Sequence, residues 1–298
     1  MLFRVAMIAA TLPLFVAVSV AGPITFNSAL PLSEGVGVLR SQITWIRQSG
    51  DTTAQKRRVT VTAVPLVLAY GVSPKLALFG MLPYVNKSMD LSIGAQRVRR
   101  SSQGVGDAKF FARYTVYQRD RPGDTLRVAP FVGLKTPTGA YQQQDRFGLL
   151  PRPLQSGSGS WDPFAGVAVS RQTLDWEFDS AASYRLNTAA AGFAFGDEAR
   201  LDASLQYRLL PRSLADSGVP AFVYAVLESN LVWDGKNSVA GVTDHNSGGT
   251  VWSLTPGLQY VTRRYVLETA VQIPTVQHLH GTALRRAWSW TAGFRCNF

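Results

Sequence analysis

Only three histidines, His245, His278 and His280, are available for acid–base chemistry in this 298-residue chain. A hydrolase acting on lipid or peptide would need a serine within hydrogen-bond reach of one of them, and Ser160 and Ser289 are the candidates. His278 and His280 are spaced like two metal ligands, but a third ligand at a suitable spacing is missing. A phosphate-binding loop, a CxxC pair and an HExxH motif are also missing from the sequence. We therefore expect no metal, no cofactor and no catalytic residue.

Charged residues are the second set that could do chemistry, because many of them alternate with apolar residues. In the segment 199–210, Ala, Leu, Ala, Leu, Tyr and Leu occupy every second position, and Arg200, Asp202 and Arg208 share the other parity with Ser and Gln. A period of two is typical of a β-strand with one apolar and one polar face. No soluble helix pattern fits this segment.

Twelve such segments follow one another along the chain. They are 36–47, 58–70, 76–85, 104–117, 125–135, 160–171, 176–186, 199–210, 221–233, 250–261, 265–273 and 287–298. Long connections (48–57, 86–103, 136–159, 187–198, 234–249 and 274–286) alternate with short ones (71–75, 118–124, 172–175 and 262–264), and only 211–220 departs from the rule. This rhythm is typical of outer-membrane barrels, whose short turns are periplasmic and whose long loops are external. The sequence therefore predicts an all-β fold, a closed antiparallel transmembrane barrel of about twelve strands, over residues 35–298.

Both ends of the chain carry features of an exported barrel. Residues 1–21 have a basic start at Arg4, an apolar run interrupted by Pro13 and a small-x-small end, which predicts a cleaved signal peptide. Residues 22–34 form an N-terminal segment that either hangs in the periplasm or plugs the lumen. The last strand ends on Phe298, which we interpret as an assembly signal for the barrel assembly machinery. The single cysteine, Cys296, allows no internal disulfide.

The charged parity of these strands must face the lumen, because a charge on the lipid side would cost about 2–4 kcal/mol at the midplane. The predicted lumen-lining residues are nine cations and seven anions: Arg40, Asp107, Lys109, Arg113, Arg127, Lys135, Asp162, Glu177, Asp179, Arg185, Arg200, Asp202, Arg208, Glu228, Glu268 and Arg295. They either pair across neighbouring strands and stiffen the wall, or guide a polar or anionic solute. A barrel of about twelve strands lies between filled and open interiors, so a narrow pore, a ligand-sized cavity and a lumen closed by loop 136–159 all remain open.

The charge balance is strongly basic, with 30 Lys and Arg against 19 Asp and Glu. A nucleic-acid partner is not indicated, because there is no basic helix and no recognised RNA-binding module. The densest basic clusters, 56–58 and 97–100, fall in predicted external loops. There they would meet the phosphates of outer-membrane lipid and lipopolysaccharide.

Four stretches carry a family resemblance that spans nearly all of the mature chain. They are 104–114 (GVGDAKFFARY), 132–139 (VGLKTPTG), 157–166 (GSGSWDPFAG) and 256–260 (PGLQY). With them, the chain resembles the outer-membrane transporter family named for the meta-pathway of phenol degradation. The resemblance implies an outer-membrane barrel of this size that takes up aromatic or other small apolar compounds passively. It implies no catalytic residues, and it singles out Asp107, Lys135 and Asp162 as candidates for shaping the mouth or wall of the lumen.

We therefore expect a bacterial outer-membrane channel for passive uptake of small aromatic or apolar molecules. Two alternatives stay open. One is a hydrolase at the external rim that acts on lipid or peptide, and the other is a structural barrel that transports nothing.

Overall fold

Twelve long antiparallel strands close into one barrel in the computed structural model, which describes residues 21–213 and 220–298. The strands are β1 Gly37–Ser49, β2 Arg58–Gly71, β3 Leu76–Ile93, β4 in three sections (Gln96–Val105, Lys109–Tyr114 and Tyr117–Arg121), β5 Asp124–Lys135, β6 Asp162–Thr173, β7 Trp176–Arg185, β8 Glu198–Leu210, β9 Phe222–Asp234, β10 Gly249–Val261, β11 Tyr265–Leu279 and β12 Arg285–Asn297. The all-β twelve-stranded barrel predicted from the sequence is confirmed. Apart from Ala21, the predicted signal peptide lies outside the described residues, as does 214–219 of the predicted turn 211–220.

The barrel closes where the last strand meets the first. β12 pairs with β1 from Val38 opposite Asn297 to Trp45 opposite Trp290 and beyond. The backbone N–H of Gly37 donates to the carbonyl of Phe298 at 2.8 Å, and the N–H of Phe298 donates back at 2.9 Å. Because every strand has two neighbours, no long edge is left to pair with another chain.

Alternation along each strand separates a lipid-facing surface from the interior. In β8, Leu201 and Leu205 are 52% and 48% exposed. Ser204 and Gln206, on either side of Leu205 in the sequence, are 1% and 0% exposed. An apolar outer surface facing hydrocarbon is what a transmembrane barrel requires. Among the described residues, no helix is long and apolar enough to cross a bilayer.

The predicted external loops 86–103 and 274–286 are wrong in extent. β3 continues to Ile93 and β4 begins at Gln96, so that only residues 94 and 95 connect them. β11 likewise continues to Leu279. These strand ends extend past the apolar belt, where both faces meet water, so the sequence loses its alternation although the hydrogen-bonded ladder continues. The basic cluster 97–100 therefore lies on β4 and not in a loop.

β4 is also not the continuous strand that the sequence predicted over 104–117. Val105 pairs with Tyr84, whereas Lys109 pairs with Met81, so the register shifts by one residue across 106–108. The N–H of Gly106 donates to the Pro83 carbonyl at 2.8 Å, which is the pattern of a β-bulge. As a result Ala108, which the alternation between the inward Asp107 and Lys109 would place on the outer face, is only 4% exposed.

Candidate functional site

Residues 21–36 occupy the half of the lumen nearest the short turns. Ile24 packs with Val226 of β9 and Ala270 of β11, and Ala29 packs with Ala129 of β5 on a different side of the wall. The segment then returns to the start of β1, where the N–H of Gly35 donates to the Gly71 carbonyl at 2.9 Å. The segment therefore lies inside the lumen and runs across it on the periplasmic side. We call residues 21–36 the plug, because these contacts are with the lumen wall.

Polar side chains of the wall hold this segment by its backbone. Glu228 accepts the N–H groups of Ile24 at 2.6 Å and Thr25 at 3.2 Å. Arg40 donates to the Ile24 carbonyl at 2.7 Å, and Arg113 donates to the Leu30 carbonyl at 2.5 Å. A backbone that leaves water must have its N–H and C=O groups paired. Several of the residues predicted to line the lumen thus face the chain itself.

Other predicted lumen residues pair with one another or with residues that the sequence pattern left out. Glu268 lies between Arg40 at 2.6 Å and Arg295 at 3.5 Å. The remaining short pairs are Arg200–Asp202 at 3.2 Å, Arg185–Glu198 at 3.1 Å, Arg127–Asp120 at 2.6 Å and Arg208–Asp175 at 2.5 Å. The last two lie at the periplasmic turns, far along their strands from the external mouth. Glu177 and Asp179 are both buried on β7, where Glu177 accepts from Gln172 at 3.0 Å and Asp179 accepts from the Ser170 hydroxyl.

Three of the four stretches that carry the resemblance meet where the bulge 106–108 of β4 lies beside the external ends of β5 and β6. The Lys135 ammonium lies 3.1 Å from a carboxylate oxygen of Asp107 and forms a second ion pair with Asp162. Asp107 also accepts the N–H of Gly139 at 3.1 Å and the N–H of Ser158 at 2.8 Å. We call this group of five residues the motif knot. It fastens both ends of loop 136–160 to the wall.

Two glycines of the motifs are required for this close packing. A Cβ atom built on Gly139 would lie 2.7 Å from the Cα atom of Gly157, and one built on Gly157 would lie 2.3 Å from the Gly139 carbonyl oxygen. Both distances are too short for any side chain, so the two backbones touch directly at a point where only glycine fits.

Above the plug, the barrel contains a cavity of about 1050 Å³ that reaches the external loops. Its apolar lining includes Pro83, Val85, Phe193, Phe195 and Val251. Phe193 and Phe195 stand edge to face with ring centroids 4.9 Å apart. Its polar lining includes Lys109 together with the lysine and first aspartate of the motif knot. This volume is sufficient for a small organic molecule.

The sequence pattern missed several polar residues of the cavity and the plug site. Lys87, which donates to the Gln155 carbonyl at 2.6 Å, fell within the wrongly assigned loop 86–103. Glu198 and Asp234 lie one residue outside the predicted strands. Neutral lumen residues such as Gln259, which donates to the Gly22 carbonyl at 2.7 Å, share the inner parity and could have been found by extending the alternation beyond charges.

The residues considered for hydrolysis have other partners. Ser160 lies 2.9 Å from the hydroxyl of Ser158, and Ser289 donates to Gln272 at 3.3 Å. His245 contacts Lys236 at 3.2 Å. Within residues 21–213 and 220–298, no hydrogen bond joins a serine to a histidine, and no group of three His, Cys, Asp or Glu residues is arranged to hold a metal.

One ion pair fixes the first external loop. The Arg57 guanidinium lies 2.9 Å from Asp51, whose side chain is 1% exposed. Hydrogen bonds from Arg57 hold the pKa of the Asp51 carboxyl well below its usual range. Arg57 also donates to the carbonyl of Thr282 at 2.9 Å and so ties this loop to the one before β12.

A closed barrel with an apolar belt, short turns at one end and long loops at the other defines a β-barrel protein of the bacterial outer membrane. Residues 46–285 match the family model described as "Putative MetA-pathway of phenol degradation". The chain belongs to this family. The resemblance that the motifs indicated is thereby confirmed.

One solved outer-membrane channel shows the same fold. The COG4313 outer membrane channel from Pseudomonas putida F1 aligns with a TM-score of 0.69 and 14% identity, over 93% of this chain and 100% of that one. The β domain of the Bordetella autotransporter BrkA aligns with a TM-score of 0.47 and 12% identity, over 89% and 100%. The CymD monoaromatic hydrocarbon channel aligns with a TM-score of 0.39 and 12% identity, over 90% and 89%. No curated protein matches the chain.

Proposed function

We propose that the protein is an outer-membrane channel for passive uptake of small aromatic or apolar molecules. The observation that carries the proposal is the cavity of about 1050 Å³, which lies inside a closed barrel and reaches the external loops. Its lining includes apolar and aromatic side chains together with charged ones, and groups of both kinds bind and orient small organic ligands. The family description, which refers to phenol degradation, supports an aromatic solute.

Passage from this cavity to the periplasm requires the plug to move. Hydrogen bonds between wall side chains and its backbone help to hold the plug, and each such bond contributes about 0.5–3 kcal/mol, depending on charge. These bonds can exchange for water without breaking the strand pairing that closes the barrel. The plug therefore sets the closed state, and the cavity above it selects what enters.

The proposal is tested by solute uptake into vesicles that carry lipopolysaccharide in the outer leaflet and contain the refolded chain from residue 22. Phenol and benzyl alcohol should enter ahead of sugars of similar size. The chain from residue 35, which lacks the plug, serves as the control and should pass both classes. Uptake of the aromatic compounds no faster than into protein-free vesicles would remove the channel proposal and favour a structural barrel.

We propose lipopolysaccharide as a partner of the external basic residues. Lys56 and Arg58 are exposed and lie close to Asp51 and Arg57 of the first external loop. Surface cations bind phosphate by charge-assisted hydrogen bonds. Lipopolysaccharide should raise the unfolding temperature of the wild type more than that of a Lys56→Gln, Arg58→Gln variant, and equal increases would contradict the contact. Recognition of Phe298 by the barrel assembly machinery stays a prediction.

A further inference from the structure

Lys109 lines the cavity but lacks, within the described part of the chain, the ion pairs that neighbouring charged residues form. It lies at the start of the second section of β4, directly opposite Lys135 of β5. Lys135 is neutralised by the two aspartates of the motif knot. For Lys109, no hydrogen bond or ion pair is found among the described residues. An ammonium that faces the lumen of a transmembrane protein without such a partner is a candidate binding group, because ionisable groups in such places mark substrate and ion pathways.

The charges around Lys109 do not neutralise it. Four groups act on it electrostatically, and three of them, Arg185, Arg200 and Lys135, are cations. The fourth, Glu198, is already paired with Arg185 at 3.1 Å. A partner supplied from outside would therefore have to be an anion.

The lining of the cavity as a whole also carries a net positive charge. Seven cationic and three anionic side chains line it. Two of the other lining cations are occupied by backbone carbonyls: Lys87 donates to Gln155 at 2.6 Å, and Arg152 donates to Ala191 at 2.8 Å. The Lys109 ammonium is left as a free donor in a cationic chamber that also contains the apolar walls described above.

We propose that Lys109 binds the carboxylate of an aromatic acid in the cavity, while the ring lies against the apolar lining. This assignment rests on the proposed uptake function and narrows its substrate class from small aromatic molecules to aromatic monoanions of the size of benzoate. A carboxylate bound by an ammonium in a partly dry cavity gains a charge-assisted hydrogen bond that a neutral alcohol cannot form.

Binding of benzoate and of benzyl alcohol to the folded chain in detergent tests this assignment, because the two probes share ring and size and differ in charge. Affinities are measured by saturation-transfer NMR titration. Wild type should bind benzoate more tightly than benzyl alcohol. Lys109→Met should weaken benzoate binding about tenfold or more and leave the affinity for benzyl alcohol unchanged. Lys109→Arg, which keeps the charge, should keep the preference.

Lys75→Met is the matched control. Lys75 is exposed on the turn between β2 and β3 at the periplasmic end, so the same charge is removed away from the cavity. Heat-modifiable migration on a gel confirms that each variant is folded. The assignment is overturned if wild type binds both probes equally, or if the Lys75 and Lys109 variants lose benzoate affinity to the same extent.

These outcomes separate the two proposals. Equal binding of both probes removes the role of Lys109 and leaves an aromatic uptake channel in place. Binding of neither probe, together with no aromatic uptake in vesicles, removes the channel and with it the aromatic-acid subsite.

Discussion

The two halves of the barrel lumen are built from the same alternating strands, but the external half contains a cavity and the periplasmic half contains a segment of the chain itself. The external half contains a cavity of about 1050 Å³ lined by Lys109, for which the described part of the chain supplies no hydrogen bond or ion pair. In the periplasmic half, Arg40 is paired with Glu268, and Arg40, Arg113 and Glu228 hold residues 21–36. Glu228 and Asp179 are fully buried there. A polar lumen face is thus compatible with both an open chamber and a packed interior. What decides between them is whether another part of the chain supplies backbone groups for the wall to bind.

The largest expected effect comes from removing the plug. The chain from residue 35 should refold as a barrel and show a steady ion conductance in planar bilayers, whereas the chain from residue 22 should stay near background. The reason is that Glu228, Arg113 and Arg40 would then face water in a continuous bore. Equal conductance of the two chains would mean that residues 22–34 do not block the periplasmic half of the lumen.

The motif knot should be the most sensitive point of the external half. Lys135→Met leaves the carboxylates of Asp107 and Asp162 buried without their cation, and breaking a buried ion pair in this way costs about 3–5 kcal/mol. The free energy of unfolding, measured by urea titration in detergent micelles, should fall by that amount. Protease should also cut loop 136–160 faster.

Arg99→Gln provides the control for the knot. Its ion pair with Asp90 at 3.3 Å joins side chains that are 65% and 38% exposed. Exposed pairs contribute about 0–1 kcal/mol. If Arg99→Gln lowered the free energy of unfolding as much as Lys135→Met does, the stability would not depend on the burial of the motif knot.

A smaller effect is expected from the anchor of the plug. In Glu228→Gln, an amide NH₂ replaces an oxygen that accepts from Ile24 or Thr25, which leaves donor facing donor at a cost of about 1–3 kcal/mol. Urea titration should show this loss, and it should be absent in the chain from residue 35, where the plug is missing. Glu34→Gln, at an exposed position near the end of the segment, should leave the stability unchanged.

The smallest effect concerns the first external loop and acid. Because the folded-state pKa of Asp51 is lowered by Arg57, its stabilising contribution is fully present above the ordinary carboxyl pKa of about 4 and is lost as pH falls towards the lowered folded-state value. Asp51→Asn should therefore unfold at lower urea than wild type at pH 7, and the difference should shrink below pH 4. If the difference in unfolding urea concentration between wild type and Asp51→Asn stayed constant from pH 7 to pH 2, the Asp51–Arg57 ion pair would not be its cause.

The strands and most of the inward charges could be predicted from the sequence, because alternation records which face each side chain takes. The plug could not be placed in the same way. The wall binds the N–H of Ile24 and the carbonyls of Ser28 and Leu30, and these backbone groups are the same in any sequence. The convergence of Asp107, Lys135 and Asp162 also lay beyond the pattern, since Asp107 lies in a bulge of β4 and a long loop separates Lys135 from Asp162.

The most direct test of the two-halves account is cysteine labelling with a water-soluble maleimide, in a Cys296→Ser background that removes the native thiol. Gln48→Cys places a thiol in the lining of the external cavity, and Ser170→Cys places one beneath Ala29, at a position that is 0% exposed. The account predicts rapid labelling at 48, protection at 170, and loss of that protection in the chain from residue 35. Equal labelling at both positions in the chain from residue 22 would contradict it.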